Sequence, residues 1–252
     1  MKLGIVILTH NQNDVTLCCL DSLDADMTMH PEYNVVVVDN GSADKFLNAA
    51  LERNYLWKNR LNIIDLPKNL GVAGGRNCGL RAVASAEYIL ILDNDTIITE
   101  GSISSLIDYL ELHKDVGIIA PELLSNDSHI QLSYKKFPGI IEKIRNLFGH
   151  RQLVSESLEE SIEPFYVIGA CQMIRGDAFR VTGFLDDSIF FGPEDADYCM
   201  RMRLKGYRVV YNPAIKIIHA WRRTSHRSPF GITSRRHISG LLHFYIKWKR
   251  FL

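Results

Sequence analysis

Paired carboxylates, one histidine and polar residues at the ends of apolar runs are the side chains here that could do chemistry together. Asp93-Asn94-Asp95 follows the run Tyr88–Leu92, and two carboxylates one residue apart can reach a single hard divalent cation from a tight turn. Spacing alone is weak: 17 aspartates in 252 residues give about one such pair by chance, and the chain has three. Context separates them. Asp24/Asp26 follows a helical pattern far from any strand end and reads as a solvated loop. Asp195/Asp197 opens a helical stretch, where the macrodipole favours acids, so capping and chemistry are both open for it. Only Asp93/Asp95 is fixed by a buried strand. Thr9 and Asn11 follow Leu3–Leu8, Asp39 follows Val35–Val38, and His219 follows Ile215–Ile218, where a structural histidine and a ligand are both open.

The elements needed to bring these residues together are legible in the hydrophobic pattern. Apolar runs at Leu3–Leu8, Val35–Val38, Leu61–Leu66, Tyr88–Leu92 and Val116–Ala120 read as buried strands. Helices are predicted between them over Asn13–Leu23, Asp44–Trp57, Arg76–Ser85 and Gly101–Leu112, with Gly71–Gly75 as a glycine-rich loop entering the third. This alternation implies βαβ units and a mostly parallel sheet, whose ligands bind outside the carboxyl ends of the strands. After Pro121 the order loosens into a variable excursion over 122–163, with a short helix predicted at Ile140–Phe148. A strand at Phe165–Ile174, a helix at Glu194–Lys205 closed by Gly206, and short strands at Arg208–Tyr211 and Ala214–Ile218 follow.

Composition bounds the function. At 46% hydrophobic and 23% charged, the chain is neither a disordered tail nor a fibre, and no apolar run approaches the roughly 18–20 residues of a membrane span. Five cysteines without C-x-x-C spacing point to reduced thiols in a cytosol, and the polar Thr9–Asp14 stretch argues against a leader before a start at Met1. The zero net charge hides an asymmetry: residues 198–252 carry 13 Lys/Arg and no acid, leaving a net of −13 on the first 197. Such a segment suits a phosphate-rich ligand or an anionic membrane, or simply neutralises the acidic body. On a helical wheel Ile238, Leu241, Leu242, Tyr245, Trp248 and Leu252 share one face, and Arg236, His243, Lys247 and Arg250 the other. This helix fits either a membrane interface or packing on the domain.

A dinucleotide fold would place G-x-G-x-x-G directly after the first strand, where this chain has Thr9-His10-Asn11-Gln12-Asn13. Instead the blocks VVVVDNGSAD, NLGVAGGRNCGL, YILILDNDTI, GACQMIRGDAF, GFLDDSIFFGPEDADYCMRMRLKGYRVVYNP and IIHAWRRTS, in this order, resemble a family 2 inverting glycosyltransferase of the GT-A fold, in its rhamnosyltransferase-like branch. The likeness covers most of residues 3–225. It implies an α/β fold in one domain over 1–225, with a nucleotide-sugar half at about 1–120 and an acceptor half at about 121–225. A basic amphipathic segment over 226–252 follows.

By that resemblance, Thr9, Asn11, Asp39, Asn40, Gly41, Arg76, Asp93 and Asn94 line the site of a UDP- or dTDP-sugar, with a surface helix role left open for Arg76. Asp93, Asp95 and His219 hold Mn²⁺ or Mg²⁺. Asp195 is the general base, and Glu194 holds an acceptor hydroxyl. The implied acceptor is a saccharide or lipid-linked saccharide of bacterial surface polysaccharide synthesis, and nucleic acid is not an expected partner. The implied place is cytoplasmic, with peripheral contact at the inner face of the cell membrane. Two positions depart from the family: Asn11 stands where many relatives have tyrosine or glutamate, and Ala220-Trp221-Arg222-Arg223 replaces a glycine-rich stretch. Arg222 and Arg223 are expected to assist the leaving group. A nucleotidyltransferase and a non-catalytic sugar-nucleotide binder are the alternatives.

Overall fold

The computed structural model describes residues 1–27, 33–53, 58–135, 157–220 and 232–248. The strands β1 (Leu3–Thr9), β2 (Tyr33–Asp39), β3 (Leu61–Asp65) and β4 (Tyr88–Asp93) run parallel in the order β3-β2-β1-β4. Their alternate residues face two separate cores, which is why β1, β2 and β4 read as continuous apolar runs. Ile5, Ile7, Val35 and Val37 pack with Leu17, Leu20 and Leu23 of α1 (Asn13–Met27). That side also holds Phe46 of α2 (Phe46–Leu51). Val6, Val36 and Val38 pack on the other side with Ala73, Leu80 and Val83 of α3 (Gly71–Val83).

The second half of the chain changes direction. After β5 (Thr96–Ile97), α4 (Ser102–Leu112) leads to β6 (Val116–Leu124), and β7 (Ile130–Gln131) turns back along its end. A small separate ladder joins β8 (Tyr134–Lys135) to β9 (Tyr166–Val167). The strand β10 (Cys171–Arg175) runs antiparallel between β4 and β6, and α5 (Gly176–Thr182) follows it. The helix α6 (Glu194–Leu204) precedes β11 (Arg208–His219), which is parallel to β6 and antiparallel to β5. The sheet is therefore parallel through β4 and mixed beyond it. A last helix, α7 (Ile232–Lys247), packs Phe244 and Trp248 into the second core.

Several boundaries differ from the sequence reading for physical reasons. Gly71–Gly75 is not a loop but the opening of α3. Gly71, at φ +81°, turns the chain into the helix, and Gly79 lets it lie so close that a Cβ there would stand 2.5 Å from Val6 Cγ1. The helix expected from Asp44 begins at Phe46, whose N–H is held by the Asp39 carboxylate at 2.9 Å. Asp24/Asp26 is no solvated loop: it lies in the last turn of α1, and the buried Asp26 accepts the Gly101 N–H at 3.2 Å. The two short strands after Gly206 are one, bulged between Asn212 and Lys216. The predicted Ile140–Phe148 helix lies outside the described residues.

Candidate functional site

Register brings the strand ends to one edge. Thr9 is the partner of Asp39 across β1 and β2, and Leu8 is the partner of Asp93 across β1 and β4. The Asp39 carboxylate is buried and fully engaged: Oδ1 accepts the Ser42 N–H and Oδ2 the Phe46 N–H, each at 2.9 Å. Burial would raise its pKa, but the Ser42 hydroxyl, these two backbone bonds and nearby Lys45 hold it below the usual carboxylate value. Asn40 accepts the Leu70 N–H and donates to Asn69 and to the Gly71 carbonyl. Gly41 has φ +77°, and a Cβ there would meet the Lys68 backbone at 2.5 Å. Asn11 clips the two strand ends together, receiving the Ala43 N–H on its side chain and giving its own N–H to Ser42 Oγ. Thr9 Oγ1 accepts from Thr16, and Thr16 in turn accepts from Asn94. The Asn94 amide, which also bonds Gln12, is thus turned onto α1.

A second cluster forms where β4, β5 and β11 end. His219 pairs with Thr96 across β5 and β11, and Ala220 N–H bonds the Asp95 carbonyl at 2.8 Å. This register sets His219 Nε2 3.2 Å from Asp95 Oδ1. One ligand atom from each of Asp93, Asp95 and His219 lies within 4.8 Å of the others. Burial would lower the His219 pKa; the Asp95 hydrogen bond and the charges of Asp95 and Asp93 more than offset it, and the pKa is raised. Asp93 is held above the ordinary carboxylate value by loss of water and by Asp95, against the pull of Arg76.

Arg76 is no surface arginine. It is 4% exposed, and its Nη2 bonds Asp93 and, at 2.8 Å, the Gly169 carbonyl. Its Nη1 lies 3.9 Å from Glu194 Oε1, tying the metal-type cluster to the start of α6. The strand expected over Phe165–Ile174 is broken at Gly169-Ala170, and the break supplies the carbonyls that hold Arg76 and the Asp93 N–H.

The acids of α6 divide their tasks. Glu194 is buried, accepts the Gly192 N–H at 2.9 Å, and has its pKa raised to about 8 by burial and the charge of Asp195, with Arg76 opposing. Asp195 is half-buried at the helix N-terminus and accepts the Ala196 N–H. Asp197 is fully buried, bonded by Arg201 at 2.8 Å, Trp248 Nε1 at 2.9 Å and Lys247 at 2.7 Å.

The helix α7 packs on the domain, one of the two open expectations, but its faces are not those of the helical wheel. Lys247 and His243 turn inward to Asp186, and Trp248 is buried, while Ile238, Leu242 and Ile246 face outward. No helix among the described residues is long and apolar enough to cross a membrane. Leu252, Arg250, Arg222 and Arg223 lie outside the described residues. Sequence reasoning missed Gln131, which holds His219, and no spacing marks it.

A family model described as Glycosyl transferase family 2 matches residues 4–183. The chain is 28% identical to the dTDP-rhamnosyl transferase RfbF of Shigella flexneri, over 85% of this chain and 68% of that protein. It is 26% identical to the rhamnosyltransferase WbbL of Escherichia coli (strain K12), over 98% and 94%. It is 24% identical to an N-acetylglucosaminyl-diphospho-decaprenol L-rhamnosyltransferase of Mycobacterium tuberculosis, over 82% and 72%. Among solved structures, the mannosyltransferase PcManGT of Pyrobaculum calidifontis, in complex with GDP-Man and Mn²⁺, superposes with a TM-score of 0.67 at 18% identity, over 98% of this chain and 64% of that one. GalNAc-T7 with UDP, GalNAc and Mn²⁺ gives 0.75 at 14% identity, over 99% and 49%. The fold is that of the GT-A glycosyltransferases.

Proposed function

The chain belongs to glycosyl transferase family 2, and from that premise we propose an inverting, metal-assisted transfer of a sugar from a UDP- or dTDP-sugar to a hydroxyl of a saccharide or lipid-linked saccharide. The reading is carried by the meeting of Asp93, Asp95 and His219 at one sheet edge, joined through Arg76 to Glu194. The family match disfavours the nucleotidyltransferase and non-catalytic alternatives. Asp195, the more accessible carboxylate of its pair, takes the proton of the acceptor hydroxyl as that oxygen attacks the anomeric carbon from the face opposite the diphosphate. Glu194, whose Oε2 accepts the Gly192 N–H and whose Oε1 lies 3.9 Å from Arg76, stands beside the base to hold the acceptor hydroxyl. Inversion needs no enzyme nucleophile.

Two carboxylates and an imidazole suit Mn²⁺ or Mg²⁺, which when bound supplies positive charge to a departing diphosphate. Incubation with UDP-, GDP- and dTDP-sugars, Mn²⁺ and a saccharide or lipid-diphosphate acceptor should release nucleoside diphosphate from a UDP- or dTDP-sugar, and chelation should abolish release. Full turnover in excess chelator sinks the metal assignment.

The mycobacterial relative is named for a lipid-linked acceptor. With the outward Ile238, Leu242 and Ile246, each more than half exposed, it supports peripheral contact at the cytoplasmic face of a membrane. The variant carrying I238S, L242S and I246S keeps Phe244 and Trp248, and should lose co-sedimentation with anionic liposomes while melting like the unaltered protein. Undiminished sedimentation removes the membrane claim.

A further inference from the structure

The half-buried Gln131, the last residue of β7, makes two hydrogen bonds to one histidine. Its Nε2 donates to the His219 carbonyl at 2.8 Å, and its Oε1 lies 2.8 Å from His219 Nδ1. A carbonyl oxygen only accepts, so the amide must present its NH₂ to it. The reversed amide would set two oxygens against each other. With Oε1 thereby facing the ring, Nδ1 must carry a hydrogen. A neutral imidazole has only one ring hydrogen, so Nε2 is left with its lone pair, and Nε2 is the atom beside Asp95.

We propose that Gln131 is a positioning residue of the cation site: it locks His219 in the Nδ1–H tautomer and turns Nε2 toward Asp93 and Asp95. The inference rests on the metal reading above. The fold explains how so unmarked a residue arrives there. The turn closed by Ser125 N–H on the His129 carbonyl sends β7 back along β6, with Gln131 opposite Leu123, while Ile218 lies opposite Leu124 of the same strand. Both residues therefore take their place from the end of β6. Histidines that bind metals commonly give their second ring nitrogen to such an acceptor, and losing it costs about 10–100-fold in affinity.

The test uses Gln131→Leu, which removes both bonds, and Gln131→Glu, which keeps an acceptor for Nδ1–H. Mn²⁺ affinity is read by electron paramagnetic resonance titration, with His219→Gln as the reference for loss of the ligand. Ring ¹⁵N shifts of the Mg²⁺-loaded protein, in which a cation rather than a proton would face Asp95 at Nε2, assigned with the same reference, read the tautomer of His219. The unaltered protein should show the Nδ1–H form. Gln131→Leu should bind Mn²⁺ about 10–100-fold more weakly and show a mixture of tautomers, and Gln131→Glu should stay within about threefold of the unaltered protein. Unchanged affinity and tautomer in Gln131→Leu would overturn the proposal, as would equal loss in both variants. If the unaltered protein and His219→Gln bind Mn²⁺ alike, the metal reading itself falls and takes the positioning role with it, whereas loss confined to His219→Gln overturns Gln131 alone.

Discussion

The rim at β1 and β2 and the edge at β4, β11 and α6 belong to one sheet, yet they treat their acids in opposite ways. At the rim, Asp39 receives two backbone N–H groups, and Asn40 and Asn11 bond the loops around them. The acid there is more comfortable ionised than in water. At the edge, Asp93, Asp95, Glu194 and Asp195 crowd one arginine and one histidine, and Glu194 holds its proton up to about pH 8. The rim is a finished scaffold, which under the proposed function would offer shape to a nucleotide. The edge stores unfavourable electrostatics that a cation and a substrate would relieve, the arrangement expected where activity competes with stability.

The sharpest way to break this contrast is at Asp195. Asp195→Asn keeps the shape and removes the proton acceptor, so turnover should fall by at least ~10²-fold with donor affinity little changed, as measured by steady-state kinetics and calorimetry. Near-normal turnover would move the base elsewhere, and Asp197, buried under three donors, would be a poor successor.

The rim should answer in stability instead. Asp39→Ala leaves two buried N–H groups without their acceptor and should cost about 1–3 kcal/mol in denaturant unfolding. A cost near zero would mean that the rim is less finished than its hydrogen bonds imply.

The smallest effect is the most specific, because the two carboxylates must bend the pH profile in opposite senses. Asp39, depressed in the fold, stabilises above its ordinary value of 3.8, and that contribution is lost as pH falls through its folded value. Glu194, raised in the fold, contributes fully below 4.5 and loses its contribution as pH rises through about 8. Glu194→Gln should therefore flatten the decline in stability between these values. A parallel profile for the variant would show that Glu194 ionises normally.

Much of this contrast was legible in the sequence, because buried parallel strands announce themselves as apolar runs and the polar residues that stop them mark the crevice. Asp93 and Asp95 stood out in that way, and His219, which the fold brings beside them, through the likeness of its block to a known family. What was hidden depends on contacts far apart in the chain. Asp26 looked solvated because its partner, the Gly101 N–H, belongs to another element. Wheel geometry could sort α7 into two faces, but not foresee that Asp186 and Asp197 would both draw Lys247 to them. Gln131 sits in a stretch with no periodicity at all, and the shared end of β6 is what brings it within bonding distance of His219.

The seating of α3 has a consequence for how such a chain can vary. A Cβ at Gly75 would come 2.5 Å from Leu8 and 3.1 Å from Asn40, and one at Gly79 2.5 Å from Val6. These positions are spacers, and the distance from helix to sheet that they set is also the reach of Arg76, the next residue after Gly75. Along this helix the exposed Arg81, set over the Phe184 ring, should therefore tolerate change better than Gly79, where a side chain would need Val6 and Val38 to move.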